Sequence, residues 1–320
     1  MAVPSIFRTA DLTDANFTGD SSYRAILGLR QALLAIGWNL EFEKIVSEDQ
    51  REIVFSNNGS GFMFKAINSG NRLTFETARS WSDVDTPVDL FSSQGVYTAY
   101  YGSSGGHICV VGDTKRFYLM LTSDSINPDE AFRTRVIFVG DILCYKPTDP
   151  YPFILLTSET TLIDTSPNTS SAASGVVLNN STSVQGSNSS SRFYFMGDED
   201  GNTDFVSGVP HTLFAPGAYP YMSNIDFAGA YSYSPQMLTK AYIRRYDASD
   251  NVNGTEYINA MRGLFPGLWF LITPIKEFGE VPAFSEVTYN GINFITVPKA
   301  YNQADSVCMH VLELSDWDVI

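Results

Sequence analysis

The chain has 320 residues, of which 44% are hydrophobic and 13% aromatic, so it can bury a large core and is not globally disordered. Its 35 acidic and 20 basic side chains give a net charge of −15, which disfavours binding to DNA, RNA or anionic lipid. The three cysteines, Cys109, Cys144 and Cys308, lack zinc-site spacing and are odd in number, as expected of buried, reduced thiols in a protein assembled in cytoplasm.

In chain order, the opening MAVPSIFRTADL has neither a basic segment nor a long apolar core, so no signal peptide is expected. No stretch approaches the roughly 18 apolar residues of a membrane span. Ile26, Leu29, Leu33 and Ile36 repeat at helical spacing, which predicts a helix over 22–36. Ser21 or Ser22 is its expected cap and Gly37 its stop. Strands are expected at 40–46, 51–55, 61–67, 72–78, 96–101, 107–112, 116–122, 135–140 and 151–156. Phe117–Leu121 and Val136–Val139 carry the apolar weight of buried strands. Residues 165–191 are dominated by Ser, Thr and Asn and read as a surface loop or linker. Residues 197–235 read as irregular, aromatic-rich chain, followed by a strand at 238–246. Asn290-Gly291 between two alternating runs signals a hairpin in the C-terminal part.

The expected fold class is therefore mainly β: sandwich or barrel-like domains with one N-terminal helix and a C-terminal β unit. The expected division is an N-terminal helix plus β domain over 1–160, a Ser/Asn-rich loop or linker over 161–191, and a C-terminal β domain over 192–320.

Candidate chemistry is sparse. His107 and Cys109 share a strand face, but no third orienting group accompanies them, so a structural role is expected. His211 and His310 stand in unrelated segments. The acidic turn Gly197–Asn202 has some calcium-loop character without the distal Glu, and a solvated turn is the expectation; Asp83-Val84-Asp85 is a weaker case. No Gly-x-Ser-x-Gly, His-Glu-x-x-His or Walker sequence occurs. The expectation is a protein without catalytic residues, cofactor or metal.

Several segments resemble a family of tailed-bacteriophage virion structural proteins encoded among head and tail genes. The opening FRTADLTDANFTGDSSYRAILGLRQALLAIGW is similar to that family's short strand, turn and helix ending in GW. In order there follow FETARSWSDVDTP, GVYTAYYGSS, the RFYL strand, GDILCYKPTDPY, the RGLFPGLW segment and the closing LELSDWDVI. The resemblance implies a non-enzymatic virion component associated with tail, baseplate or neck. Its implied partners are other virion proteins and copies of itself in a homo-oligomer, with no nucleic acid and no membrane. Its implied location is the virion, after assembly in host cytoplasm. A capsid decoration or vertex protein is one alternative, and a host-glycan-binding adhesin or glycan hydrolase is another.

Within the RGLFPGLW segment, Arg262, Gly263, Pro266, Gly267 and Trp269 are the structural or interface candidates, together with Trp317 near the end. Gly263, Pro266 and Gly267 are expected to fix a turn, and Trp269 to anchor it in a core or interface.

Overall fold

The computed structural model of the chain describes residues 1–14, 24–69, 72–92, 106–122, 134–158, 191–197, 200–201, 211–214, 222–223, 238–245, 261–271, 276–279, 281–297, 300–302, 306–308, 310–315 and 317–318. The strands are β1 (Val3–Arg8), β2 (Asn39–Ser47), β3 (Gln50–Ser56), β4 (Met63–Ser69), β5 (Arg72–Asp83), β6 (Thr86–Ser92), β7 (His107–Gly112), β8 (Arg116–Thr122), β9 (Thr134–Asp141), β10 (Leu143–Cys144) and β11 (Phe153–Ser158). They continue with β12 (Ser191–Phe195), β13 (His211–Phe214), β14 (Met222–Ser223), β15 (Leu238–Arg245), β16 (Met261–Leu271), β17 (Glu286–Tyr289), β18 (Ile292–Thr296), β19 (Ala300–Asn302), β20 (Ser306–Cys308) and β21 (His310–Glu313). Among the described residues the helices are α1 (Ala25–Ala35), the single turn α2 (Lys276–Gly279) and a 3-10 turn at Thr9–Asp11.

The fold is mainly β, with antiparallel sheets, one long helix near the N-terminus and a C-terminal strand unit. A central sheet runs β1-β7-β8-β9-β11-β12. On one side lie α1 and the meander β2-β3-β4-β5-β6. On the other lies an outer sheet, β13-β15-β16-β21-β18-β17, with β10 also paired to β16. A small sheet, β14-β20-β19, completes the pairing.

The central sheet is buried on both faces, which is why its strands read as continuous apolar runs rather than alternating ones. Phe117, Leu119, Val139 and Phe153 enter the core shared with α1 and the meander. Tyr118, Met120, Phe138 and Ile154 enter the core shared with the outer sheet. Burying one such side chain contributes roughly 1.5–3 kcal/mol, so the two cores hold the three layers together mainly through apolar contact.

Helix α1 lies between the central sheet and the meander, with Ile26, Leu29 and Leu33 fully buried. A Cβ on Gly28 would stand 2.8 Å from Ile108 Cγ2, so this glycine admits the close approach of β7. The helix stops as expected. Gly37 has φ +89°, and Trp38 N donates to Leu33 O at 2.9 Å in a Schellman closure. The expected capping serines lie outside the described residues, and the helical span begins at Ala25.

The hairpin at Asn290-Gly291 is present, with φ 50° and 80° at the two turn residues, as a type I′ turn requires. Strands β6, β10, β13 and β14 were not anticipated, and β13 and β14 stand in the stretch 197–235 expected to be irregular. Pro87 argues against a strand interior, but β6 is an edge strand, where a missing N–H is tolerated. The RGLFPGLW segment is a strand, β16, and not the expected turn. Its pairing with β15 shifts register between Lys240 and Tyr242, so Pro266 and Gly267 lie in a bulge within a continuing ladder, while Gly263 stays paired with Ile243.

The expected boundary near 191 runs through shared structure: β12 pairs with β11, and β10 pairs with β16. The expected strand at 96–101 and the segment 165–190 lie outside the described residues.

Candidate functional site

The segments that stand out in the sequence meet where the layers join. The β7–β8 turn is built by Asp113, whose Oδ1 accepts from Lys115 N at 2.8 Å and Arg116 N at 3.1 Å. That turn presents Lys115 and Arg116 to two neighbours. Arg116 is 1% exposed. Its Nε pairs with Asp113 Oδ2 at 3.3 Å, its NH1 donates to Asp141 O at 3.2 Å, and its NH2 pairs with Asp318. Lys115 Nζ reaches Asp318 Oδ2 at 2.8 Å.

Asp141 ties the meander to the central sheet. Its Oδ1 accepts from Asn57 Nδ2 at 2.9 Å and Ser60 Oγ at 2.6 Å, and its Oδ2 accepts from Ser60 N at 2.8 Å. Burial pushes its carboxyl up, and the hydrogen bonds from Ser60 and Asn57 oppose that only in part. Gly140, at φ +129°, lets β9 pass close over the Arg116 backbone.

Asp149 and Arg262 form a pair whose side chains are each 1% exposed. Arg262 Nε donates to Asp149 Oδ2 at 3.0 Å, and its NH2 donates to Asp149 Oδ1 at 3.2 Å and Tyr151 O at 2.9 Å. The fork geometry suits a guanidinium and would be lost with Lys. Gly263 is required beside it, because a Cβ there would lie 2.6 Å from Leu143 O across the β10–β16 pair.

Trp317 is 2% exposed and sits over Gly267, whose φ is +68°. A Cβ on Gly267 would overlap the indole. Trp317 Nε1 donates to Glu313 O at 2.7 Å, and its ring meets Tyr118 edge-on at 5.6 Å. Tyr118 in turn donates its hydroxyl proton to Pro266 O at 2.9 Å. Five of the six candidates thus contact the central sheet, β10, the β10–β11 loop or Trp317. Trp269 stands apart, half-buried on the far face of the outer sheet, where its ring contacts Phe294 and its Nε1 donates to Glu313 Oε2 at 2.7 Å.

Between these tryptophans lies an open groove of about 390 Å³, lined mainly by Leu264, Phe265, Leu268, Trp269, Ile292 and Trp317. Its polar groups are Lys240, Glu313 and Ser315. Lys240 Nζ stands 5.4 Å from the Trp269 ring centroid, and Glu313 accepts from both Trp269 and Ser315.

Neither described thiol, Cys109 or Cys144, has a nucleophile's environment. Burial pushes Cys109 far up; burial and then the Asp149 carboxylate do the same to Cys144. His107 lies on β7, while the side chains of His211 and His310 are outside the described residues, as is most of the acidic turn 197–202. Among the described residues no group of three His, Cys, Asp or Glu is placed to hold a metal, and no helix is long and apolar enough to cross a membrane. No family model and no curated protein matches this chain.

Sequence reasoning missed the partners Asp113, Asp141, Asp149 and Asp318. The signal available was position: Asp113 and Asp141 close apolar runs and Asp318 follows Trp317 in a weakly charged chain, whereas Asp149, between Thr148 and Pro150, carries no such mark.

Proposed function

We propose that this chain is a structural component of a tailed-bacteriophage virion, attached at the tail, baseplate or neck and working through contacts between subunits. The observation that carries the reading is where the resemblance segments lie. RFYL, GDILCYKPTDPY, RGLFPGLW and the closing Trp-Asp segment are far apart in sequence and join the central and outer sheets to each other. A chain whose most distinctive residues serve internal rigidity is suited to bearing load in an assembly. Buried ion pairs such as Arg262–Asp149 add little net stability but fix one arrangement of the layers. The acidic balance favours a position away from packaged DNA.

Mass spectrometry of denatured, gradient-purified particles tests this reading. The chain is expected among the particle proteins at a fixed stoichiometry. Its absence from particles whose other components are detected would refute the proposal.

A further inference from the structure

Strand β16 changes partner in mid-course. It pairs with β10 at Gly263 and Leu264 and with β21 from Leu268 to Phe270. Opposite β15 the same stretch is bulged, so Phe265 and Leu268, three positions apart, both enter the core. Trp269 is thereby turned to the far face of the outer sheet. The groove between Trp269 and Trp317 lies at this interruption, and Leu264, Phe265 and Leu268 form its floor at 3%, 0% and 1% exposed.

Its mouth is made by side chains from four adjacent strands. Lys240 of β15 stands across from Trp269 of β16, Glu313 follows on β21, and Ile292, 37% exposed, on β18. Lys240, Trp269, Glu313 and Ser315 are each half-buried. The Trp269 indole N–H and the Ser315 hydroxyl both donate to Glu313, which fixes that carboxylate in the wall. Lys240 holds its ammonium 5.4 Å from the Trp269 ring centroid.

These groups define the ligand. One ammonium and one carboxylate in the same opening reward neither a strongly anionic nor a strongly cationic molecule. A hydroxyl suits both, because it accepts from the ammonium and donates to the carboxylate. The indole and the apolar floor ask for a C–H face beside those hydroxyls. A volume of about 390 Å³ lies at the small end of the roughly 300–1,000 Å³ typical of small-molecule sites, too short for a peptide of several residues. We propose that the groove binds a neutral saccharide, seating about one or two pyranose rings between Trp269, Lys240 and Glu313. Its chemistry is independent of where the chain sits on a particle.

The four tryptophans supply the readout. The full chain, labelled with ¹⁵N at its indoles, is titrated in turn with glucose, galactose, mannose and N-acetylglucosamine, and with trialanine and acetate as peptide and anion probes. The expected result is a saturable shift of the Trp269 indole N–H with at least one sugar, half complete at about 1 mM. Trp38 and Trp81, which belong to other cores, are expected to stay unmoved. Glu313→Gln and Lys240→Gln are each expected to weaken that binding roughly tenfold, with the Trp38 and Trp81 resonances at their wild-type positions as the check on folding. The proposal is overturned if no sugar gives a saturable Trp269 shift, if only trialanine or acetate does, or if neither variant weakens the binding.

Discussion

Two residues at the junction carry consequences that differ in kind. Gly267 combines a left-handed backbone with an occupied Cβ position. Gly267→Ala is expected to lose the roughly 1–2 kcal/mol of the backbone conformation and, in addition, to displace Trp317. Urea unfolding monitored by tryptophan fluorescence checks both, as a lowered midpoint and a red-shifted native spectrum. Arg262 and Asp149 test the pair. Either Arg262→Met or Asp149→Asn alone is expected to cost about 3–5 kcal/mol by stranding its buried partner, whereas the double variant costs less than the sum. Equilibrium unfolding of the four chains measures the coupling.

Asp318 gives a pH dependence with a defined sign. Burial pushes its carboxyl up, but hydrogen bonds and charge from Lys115 and Arg116 prevail and hold it below the usual value. A carboxyl lowered by folding contributes stability that is present above its unfolded pKa, about 3.9, and is lost as pH falls through the folded one. The stability difference between wild type and Asp318→Asn is therefore expected at neutral pH and should vanish in acid. Denaturant midpoints across that range measure it. Asp141 acts in the opposite sense, since its raised carboxyl costs stability as pH rises through its folded value.

At the scale of elements, legibility followed the locality of the cause. Helix α1, its Gly37 stop and the Asn290-Gly291 hairpin depend on neighbours in sequence, and all were readable there. Gly291→Ala is expected to cost about 1–2 kcal/mol from φ alone, because nothing lies near its Cβ, so a thermal melt should show a loss without any spectral change. Strand β16 was misread for the complementary reason. Gly263, Pro266 and Gly267 look like turn residues, yet their need arises from Leu143, Tyr118 and Trp317, which the chain brings from elsewhere. Arg262 stands out in the sequence, but its partner Asp149 cannot be paired from sequence because 113 positions separate them.

At the scale of the molecule, three layers share two cores, and the central sheet draws strands from both sides of the Ser/Asn-rich segment. Residues 192–320 produced alone would lack the central-sheet face that Phe265, Leu268 and Leu312 pack against. That fragment is expected to show no cooperative thermal unfolding and weak near-ultraviolet circular dichroism, in contrast to the full chain. A folded fragment would support the division expected from sequence. The same three-layer construction underlies the proposed role, in which a rigid body with internally matched charges bears contacts on its outer surfaces. Immunogold electron microscopy of intact particles, with antibody raised against this chain, tests that role most directly. The account predicts gold confined to the tail end or neck; gold over the head, or unlabelled particles, would contradict it.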